Sequence, residues 1–251
     1  MRKIAFTTLI GLAGAFTQCA AADGAVTVTT GAGYIPVVKQ IVNVCKARHD
    51  APATESYGGN IGQMLAQIAA GSGVNVVVTD KTTIERIKTQ VRFSIRQPLG
   101  TTPLALIWKK GLKINKPEDI ANDSVQSVAI PDPKAAVYGR AGSQWVIGQN
   151  NAALSGKLMQ VASVPQVAGY VARGEVDAGF VNVQAARKGL KDFGGMLVLN
   201  SGYDPIELQA LVVEGFENNS SVQKFLTCLR SPEIAEVLVR SGIKPAAAVK
   251  P

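Results

Sequence analysis

The feature that most restricts the fold of this chain is a repeated alternation of short extended segments, small-residue loops and helices. Residues 25–30 alternate apolar and polar side chains as a strand does, residues 31–33 are Gly-Ala-Gly, and residues 35–49 carry apolar side chains at helical spacing. The pattern recurs at once, with a strand-like segment at 53–57 and an apolar run at 74–78 that is typical of a buried parallel strand. This alternation predicts an α/β fold whose sheets are mainly parallel.

The same alternation continues through the middle of the chain and predicts two lobes. A late strand at 208–213 returns toward the first part of the chain, and two closing helices follow within 219–241. We therefore expect one lobe from residues 23–98 plus 205–251 and a second lobe from residues 99–204. In such an arrangement a ligand occupies the crevice between the lobes, beyond the carboxyl ends of the strands.

The first 22 residues have the organisation of a secretory signal peptide. Met1-Arg2-Lys3 is basic, residues 4–16 are apolar, and Ala20-Ala21-Ala22 supplies a small-residue cleavage site. Cys19 raises lipid attachment as an alternative, but Gln18 is too large for the position before a lipidated cysteine. We predict cleavage after Ala22 and release into the periplasm.

The basic balance of the chain, a formal charge of +8, favours small anions over nucleic acid as partners. Lysine and arginine are scattered and aromatic residues make up only 6%, which is poor material for a surface that tracks phosphates or stacks bases. A merely solvated basic surface explains the charge equally well. We expect no nucleic-acid partner, and a monomer.

Two cysteines remain after the predicted cleavage, Cys45 and Cys228. In an oxidising compartment such a pair is a candidate disulfide. Only His49, four residues after Cys45, lies near either of them in sequence, and no further cysteine does; these are too few ligands for a metal ion, so we expect no metal site and no cofactor.

Four predicted junctions share one composition, a strand that ends in small residues directly before a helix. A helix N-terminus offers unpaired backbone N–H groups and a partial positive charge, and small residues let an anion approach them. Four such ends facing one cleft would form an oxyanion site without charged side chains, although at any single junction the glycines are equally well explained as turn residues. These junctions are residues 30–33, 58–60, 137–139 and 163–165.

Several blocks of the sequence resemble the periplasmic molybdate-binding proteins of ABC importers. The blocks at 132–141, with its Pro, Tyr, Gly and Arg, and at 171–181 are similar to that family's blocks, as are 67–71 and the helix pair at 225–238. They occur in the family's order over most of residues 25–245. The resemblance implies the type II two-lobed fold and a solute-binding protein that captures a small oxyanion, molybdate or tungstate, and delivers it to the permease of an ABC importer.

The resemblance also implies where the ligand contacts lie. The family's first-loop serine falls on Gly33, its second-loop serine on Ile61, or on Asn60 if the gap shifts by one, and its hydroxyl-donating tyrosine on Asn182. The resemblance therefore implies that two hydroxyl donors are lost. Backbone donors can survive at such positions, and amide or phenol side chains can replace a lost hydroxyl. Carried over by position, the implied ligand-binding residues are Gly33, Asn60 or Ile61, Tyr138, Val164 and Asn182.

An enzyme is disfavoured because the chain has one histidine, His49, placed by pattern at the end of the first helix. Catalysis by a Ser-His or Cys-His pair has no evident base, and no hydrolase, zinc-protease or phosphate-loop motif is present. Two alternatives to oxyanion transport stay open. The same fold can bind another anion, such as sulfate or a small organic anion, or can act as a sensor or surface protein without a transporter.

Overall fold

The computed structural model describes residues 25–58 and 61–247. The predicted signal peptide, residues 1–22, and the candidate ligand residue Asn60 lie outside the described residues. No helix within the described part of the chain is long and apolar enough to cross a membrane.

The first lobe begins with three strand-helix units, as the alternation predicts. The first helix starts with proline in its first turn and buries Val38, Ile41, Val42 and Cys45 on one face. The elements are β1 (Val26–Thr30), α1 (Ile35–Arg48), β2 (Ala53–Glu55), α2 (Ile61–Ala69), β3 (Val76–Asp80), α3 (Lys81–Arg86) and β4 (Phe93–Thr102).

The second lobe follows after Pro103 and has the same organisation. Its two central strands, β5 and β8, are buried along their whole length. The elements are β5 (Leu104–Trp108), a 3-10 helix (Pro117–Ala121), β6 (Val128–Pro131), α4 (Val137–Gly148), α5 (Ala152–Gly156), β7 (Leu158–Val161), α6 (Val164–Ala172), β8 (Ala178–Asn182), α7 (Val183–Lys188), a second 3-10 helix (Leu190–Asp192) and β9 (Gly195–Leu199).

The chain then returns to the first lobe and ends there. The predicted interruption between the closing helices falls at Ser231, whose hydroxyl accepts a hydrogen bond from the Ile234 N–H and caps the last helix. The elements are β10 (Ile206–Val213), α8 (Ser220–Leu229), α9 (Pro232–Arg240) and β11 (Lys244–Pro245).

The strands form two sheets, in the orders β11-β4-β10-β3-β1-β2 and β7-β6-β8-β5-β9. This confirms the predicted two-lobed α/β fold, although the sheets are mixed rather than mainly parallel. β1 pairs in parallel with β2 and β3, and β6 with β7 and β8. β10, which returns the chain to the first lobe, pairs antiparallel with β3 and β4, and β5, the first strand of the second lobe, pairs antiparallel with β8 and β9.

A disulfide joins two helices of the first lobe. The sulfurs of Cys45 in α1 and Cys228 in α8 are bonded, and their Cα atoms are 5.7 Å apart. Both residues are buried in the core of that lobe, so the bond ties the first helix of the fold to the C-terminal helix pair.

Candidate functional site

A cavity of about 400 Å³ lies between the lobes, at the ends of strands from both sheets. We call it the first cavity. The first lobe contributes the loop between β1 and α1, the start of α2 and the end of β3, and the second lobe contributes the segments that enter α4 and α6. The residues that line it are 31–34, Ile61, Gln63, Thr79, Asp80, Thr83, Asp132, 135–138 and 162–164.

Four of the ligand residues implied by the sequence line this cavity. Gly33, Ile61, Tyr138 and Val164 come from four different loops and both lobes. Asn182 does not line it. Asn182 lies beside a second and larger cavity, of about 1000 Å³, which also includes Gly33 and Val164 in its wall.

Among the helices whose N-cap residues the structure describes, three begin at the first cavity without a side-chain cap. The N-cap residues of α1, α4 and α6 are Tyr34, Ala136 and Ser163, and none makes a side-chain hydrogen bond to its helix. The first N–H groups of a helix have no acceptor within the helix. In α1 and α6 the second residue is a proline and the third N–H donates to the carbonyl of the N-cap residue, so each of these ends leaves one N–H for a ligand, that of Ile35 or Val164. Their partial positive charge makes an anion the favoured ligand.

Ser163 is a possible ligand residue that the sequence comparison did not single out. It lines the first cavity directly before Val164, and its hydroxyl is not used as a helix cap. Serine before a predicted helix normally indicates a cap, so the sequence signal points to the helix rather than to the cavity.

The packing of α4 places its N-terminus at the cavity. Gly139 lies in the first turn of α4, and a Cβ atom there would be 2.0 Å from the carbonyl oxygen of Pro131 at the end of β6. Glycine therefore allows the helix to approach the strand end closely enough for Val137 and Tyr138 to reach the cavity wall.

Tyr138 occupies the space beside Gly33. A Cβ atom at Gly33 would lie 3.2 Å from Cε2 of Tyr138, so any larger residue at position 33 would press on the tyrosine ring. The ring of Tyr138 also lies 5.7 Å, centroid to centroid, from the ring of Tyr34. Burial raises the pKa of both phenols above the ordinary value for tyrosine, so both hydroxyls stay protonated at neutral pH. The Tyr138 hydroxyl is 3.4 Å from the Thr102 hydroxyl.

The side chain of Asn182 connects the two lobes. Its Nδ2 donates a 2.8 Å hydrogen bond to the carbonyl oxygen of Gly33, and its Oδ1 accepts from the N–H of Ala185 as the cap of α7. The amide oxygen and one amide hydrogen are thus already engaged within the protein.

A buried ion pair crosses between the lobes at the edge of the first cavity. Nη2 of Arg140 in α4 is 2.6 Å from Oδ1 of Asp80 at the end of β3, and the side chains are only 12% and 2% exposed. Nη1 of Arg140 also donates to the Thr83 hydroxyl at 3.2 Å. Asp80 in addition accepts from the N–H of Thr83 and caps α3. Asp80 is thus neutralised by an arginine of the other lobe.

The described residues offer no metal site. No group of three or more His, Cys, Asp and Glu side chains within residues 25–58 and 61–247 is placed to hold a metal ion. The one histidine, His49, is the C-cap of α1, with Nε2 3.4 Å from Oε2 of Glu233, and it does not line either cavity.

Two α/β lobes that enclose uncapped helix N-termini define a two-lobed solute-binding protein. Comparison with family models agrees: residues 26–244 match the model described as bacterial extracellular solute-binding protein, and the chain belongs to that family. It is therefore a solute-binding protein of ABC import rather than an enzyme, as the sequence predicts.

The individual relatives share only about a quarter of their residues with this chain, 22–26%. The chain is 26% identical to the molybdate-binding protein ModA of Azotobacter vinelandii, over 93% of this chain and 95% of that one. It is 22% identical to ModA of Rhodobacter capsulatus, over 88% and 89% of the two chains.

Solved structures share the fold. The Azotobacter vinelandii periplasmic molybdate-binding protein superposes with a TM-score of 0.74 at 22% identity, over 87% of this chain and 98% of that one. PEB3 bound to L-phospholactate superposes with a TM-score of 0.69 at 16% identity, over 86% and 98%.

Proposed function

We propose that this protein captures a small anion between its two lobes, in the periplasm, and presents it to the permease of an ABC importer. The observation that carries the proposal is the convergence of three uncapped helix N-termini, those of α1, α4 and α6, on the first cavity. Backbone N–H groups and the partial positive charge of each helix end would hold the anion without a charged side chain.

Two observations support export to an oxidising compartment. Residues 1–22 have the composition of a cleavable signal peptide. The bond between Cys45 and Cys228 also fits a compartment in which disulfides persist.

Molybdate and tungstate are the first candidate ligands, because two relatives that match most of the chain are molybdate-binding proteins. A small organic anion is the second candidate. Gly33 and Asn182 stand where the family has hydroxyl donors, and the side chain of Asn182 is engaged with the first lobe. Charge-assisted hydrogen bonds contribute about 1.5–3 kcal/mol each, so their loss weakens the hold on a compact dianion.

The test is a thermal-shift series on the mature protein with molybdate, tungstate, sulfate, phosphate, citrate and L-phospholactate. A ligand at a hundred times its dissociation constant stabilises a protein by about 2.7 kcal/mol. For a chain of this size the melting temperature then rises by about 5–10 °C. If none of these anions shifts folded, ligand-free protein, anion capture is refuted.

A proline at the first position of α6 tests the proposed helix donors. Val164→Pro removes one N–H group from the cavity, and proline is tolerated at this position because Ser163 is already extended. The matched control is Ala152→Pro at the first position of α5, where the N-cap Asn151 is also extended. We expect the binding of the effective anion to weaken in Val164→Pro only. Equal affinity in the two variants would contradict the proposed contact.

A further inference from the structure

The second cavity continues the cleft in which the first cavity lies. It is about 1000 Å³ in volume and lies between α1 and α9 of the first lobe and α6 and α7 of the second. Ala32, Gly33 and Val164 line both cavities. The two spaces therefore meet at the N-termini of α1 and α6, where the proposed anion contacts lie.

The two cavities differ in charge. Among the described residues, the walls of the first contain Asp132 and Asp80, of which Asp80 is paired with Arg140, and no basic residue. The walls of the second contain four basic residues and one acidic residue, which is a net formal charge of +3. The charged residues of the second cavity are Arg187, Lys188, Lys191, Asp192 and Arg240.

Two of these cations have no ion-pair partner in the described part of the chain. Lys188 ends α7, and Lys191 lies in the following 3-10 helix, so one short segment carries both. Arg187 donates only to the backbone carbonyl of Arg240, and Arg240 is 3.7 Å from Glu236. The unpaired lysines are free to contact a ligand, and several like charges around one concave space concentrate anions there.

We propose that the ligand is an organic anion with two acid groups, which spans both cavities. One acid group binds at the N-termini of α1 and α6, and the other binds in the second cavity to Lys188 and Lys191. This inference rests on the proposed anion capture and extends it to a ligand class. A compact tetrahedral oxyanion reaches only the helix ends, so it binds less tightly than an anion that also reaches the lysines.

The test compares a one-centre anion with a two-centre anion that carries the same phosphate group. Inorganic phosphate, molybdate and 2-phosphoglycolate are titrated calorimetrically into the parent and into Lys188→Gln/Lys191→Gln. The control is Lys110→Gln/Lys113→Gln, which removes the same charge from exposed positions of the second lobe that line neither cavity. It therefore corrects for the change in net charge.

We expect the parent to bind 2-phosphoglycolate at least about tenfold more tightly than phosphate, a difference of about 1.4 kcal/mol. The cavity variant should lose this preference while the control keeps it. If phosphate or molybdate binds and 2-phosphoglycolate has no advantage, or if both variants behave alike, the inference is overturned and anion capture stands. If no anion binds the parent, both fail.

Discussion

The substitution Asp80→Asn isolates the ion pair that joins the lobes. The pair is short and buried: Nη2 of Arg140 is 2.6 Å from Oδ1 of Asp80, and the side chains are 12% and 2% exposed. Asparagine caps a helix about as well as aspartate, so the hydrogen bond from the Thr83 N–H to the cap of α3 is retained. The variant therefore removes the charge and leaves the local helix intact.

We expect Asp80→Asn to destabilise the closed arrangement of the two lobes. Removing one partner of a buried ion pair destabilises by about 3–5 kcal/mol, because the other charge is left without compensation. We expect the lobes of the variant to separate and return Arg140 to water, so that an open form rather than the unfolded chain gains in population. A ligand held between the lobes binds in proportion to the closed fraction. A shift of about 3 kcal/mol, with the closed form initially dominant, then weakens binding by up to roughly a hundredfold.

Small-angle scattering of ligand-free protein and the affinity for the best anion measure the two effects. We expect a larger radius of gyration and weaker binding in Asp80→Asn, and partial recovery when Arg140→Met is added. The matched control is Glu175→Gln, which breaks a pair with the same 2.6 Å separation from Arg173 on the exposed surface. It should leave both quantities unchanged. An Asp80→Asn variant with the parent's radius and affinity would refute the proposed coupling.

Three further changes test the scaffold and the site. Replacing Cys45 and Cys228 by alanine opens a 183-residue loop and should lower the free energy of unfolding in urea by about 5 kcal/mol on the chain-entropy argument; an unchanged midpoint would contradict it. The pKa of Asp177 is lowered, so its contribution to stability is present above the ordinary aspartate pKa of about 3.9 and is lost as the pH falls through the folded value. Asp177→Asn should be less stable at pH 7 and decline less on acidification, and parallel stability curves from pH 7 to 2 would argue against this. Gly33→Ser should lower the melting temperature, and Tyr138→Ala should relieve that strain, so additive effects of the two changes would show that the residues do not press on each other.

The pKa of Asp177 is lowered by Lys109, which follows β5, and by the loop before β6. Burial alone would raise the pKa of this carboxyl, but the ammonium of Lys109 and the backbone N–H groups of Gln126 and Ser127 outweigh it. Nζ of Lys109 is 2.5 Å from Oδ1, and the two N–H groups donate to Oδ2. The carboxylate therefore joins the start of β6 to the start of β8 and is a structural group rather than a ligand contact.

The alternation of strands and helices was sufficient to predict the α/β class and most elements. For the first helix the predicted and observed bounds nearly coincide: the spacing predicts residues 35–49, and the helix is Ile35–Arg48. The mixed pairing could not be predicted, because strand direction depends on where the chain crosses between lobes. Hydrophobic periodicity indicates which side chains of a strand are buried, but it does not indicate whether the neighbouring strand runs parallel or antiparallel.

β4 shows a different limit. This ten-residue strand contains Pro98 and Gly100, which indicate a turn when only the sequence is considered. In the fold, a register shift in the pairing with β10 occurs beside these two residues. A Cβ atom at Gly100 would also lie 2.2 Å from the carbonyl oxygen of Lys244 in β11. Glycine is therefore required by the approach of the last strand, a contact that local sequence does not reveal.

The ion pair between Asp80 and Arg140 was missed for a related reason. Its residues are 60 positions apart and belong to different lobes. Asp80 between a buried strand and a helix has the pattern of a helix cap, and it is one. The second role of the carboxylate, as partner to an arginine of the other lobe, exists only once the lobes face each other.

The positions of Gly33, Tyr138 and Asn182 depend on one another through packing and hydrogen bonding. Considered singly, each is only a position on which the resemblance places a ligand contact. In the structure they depend on one another: the absence of a side chain at Gly33 makes room for the Tyr138 ring, and the Gly33 carbonyl accepts the hydrogen bond from Asn182. Restoring a single family hydroxyl would therefore disturb the packing between the lobes. Under the proposed function, a site for a compact oxyanion would need all three positions to change together, which supports the proposal of a ligand held mainly by backbone donors and by charges elsewhere in the cleft.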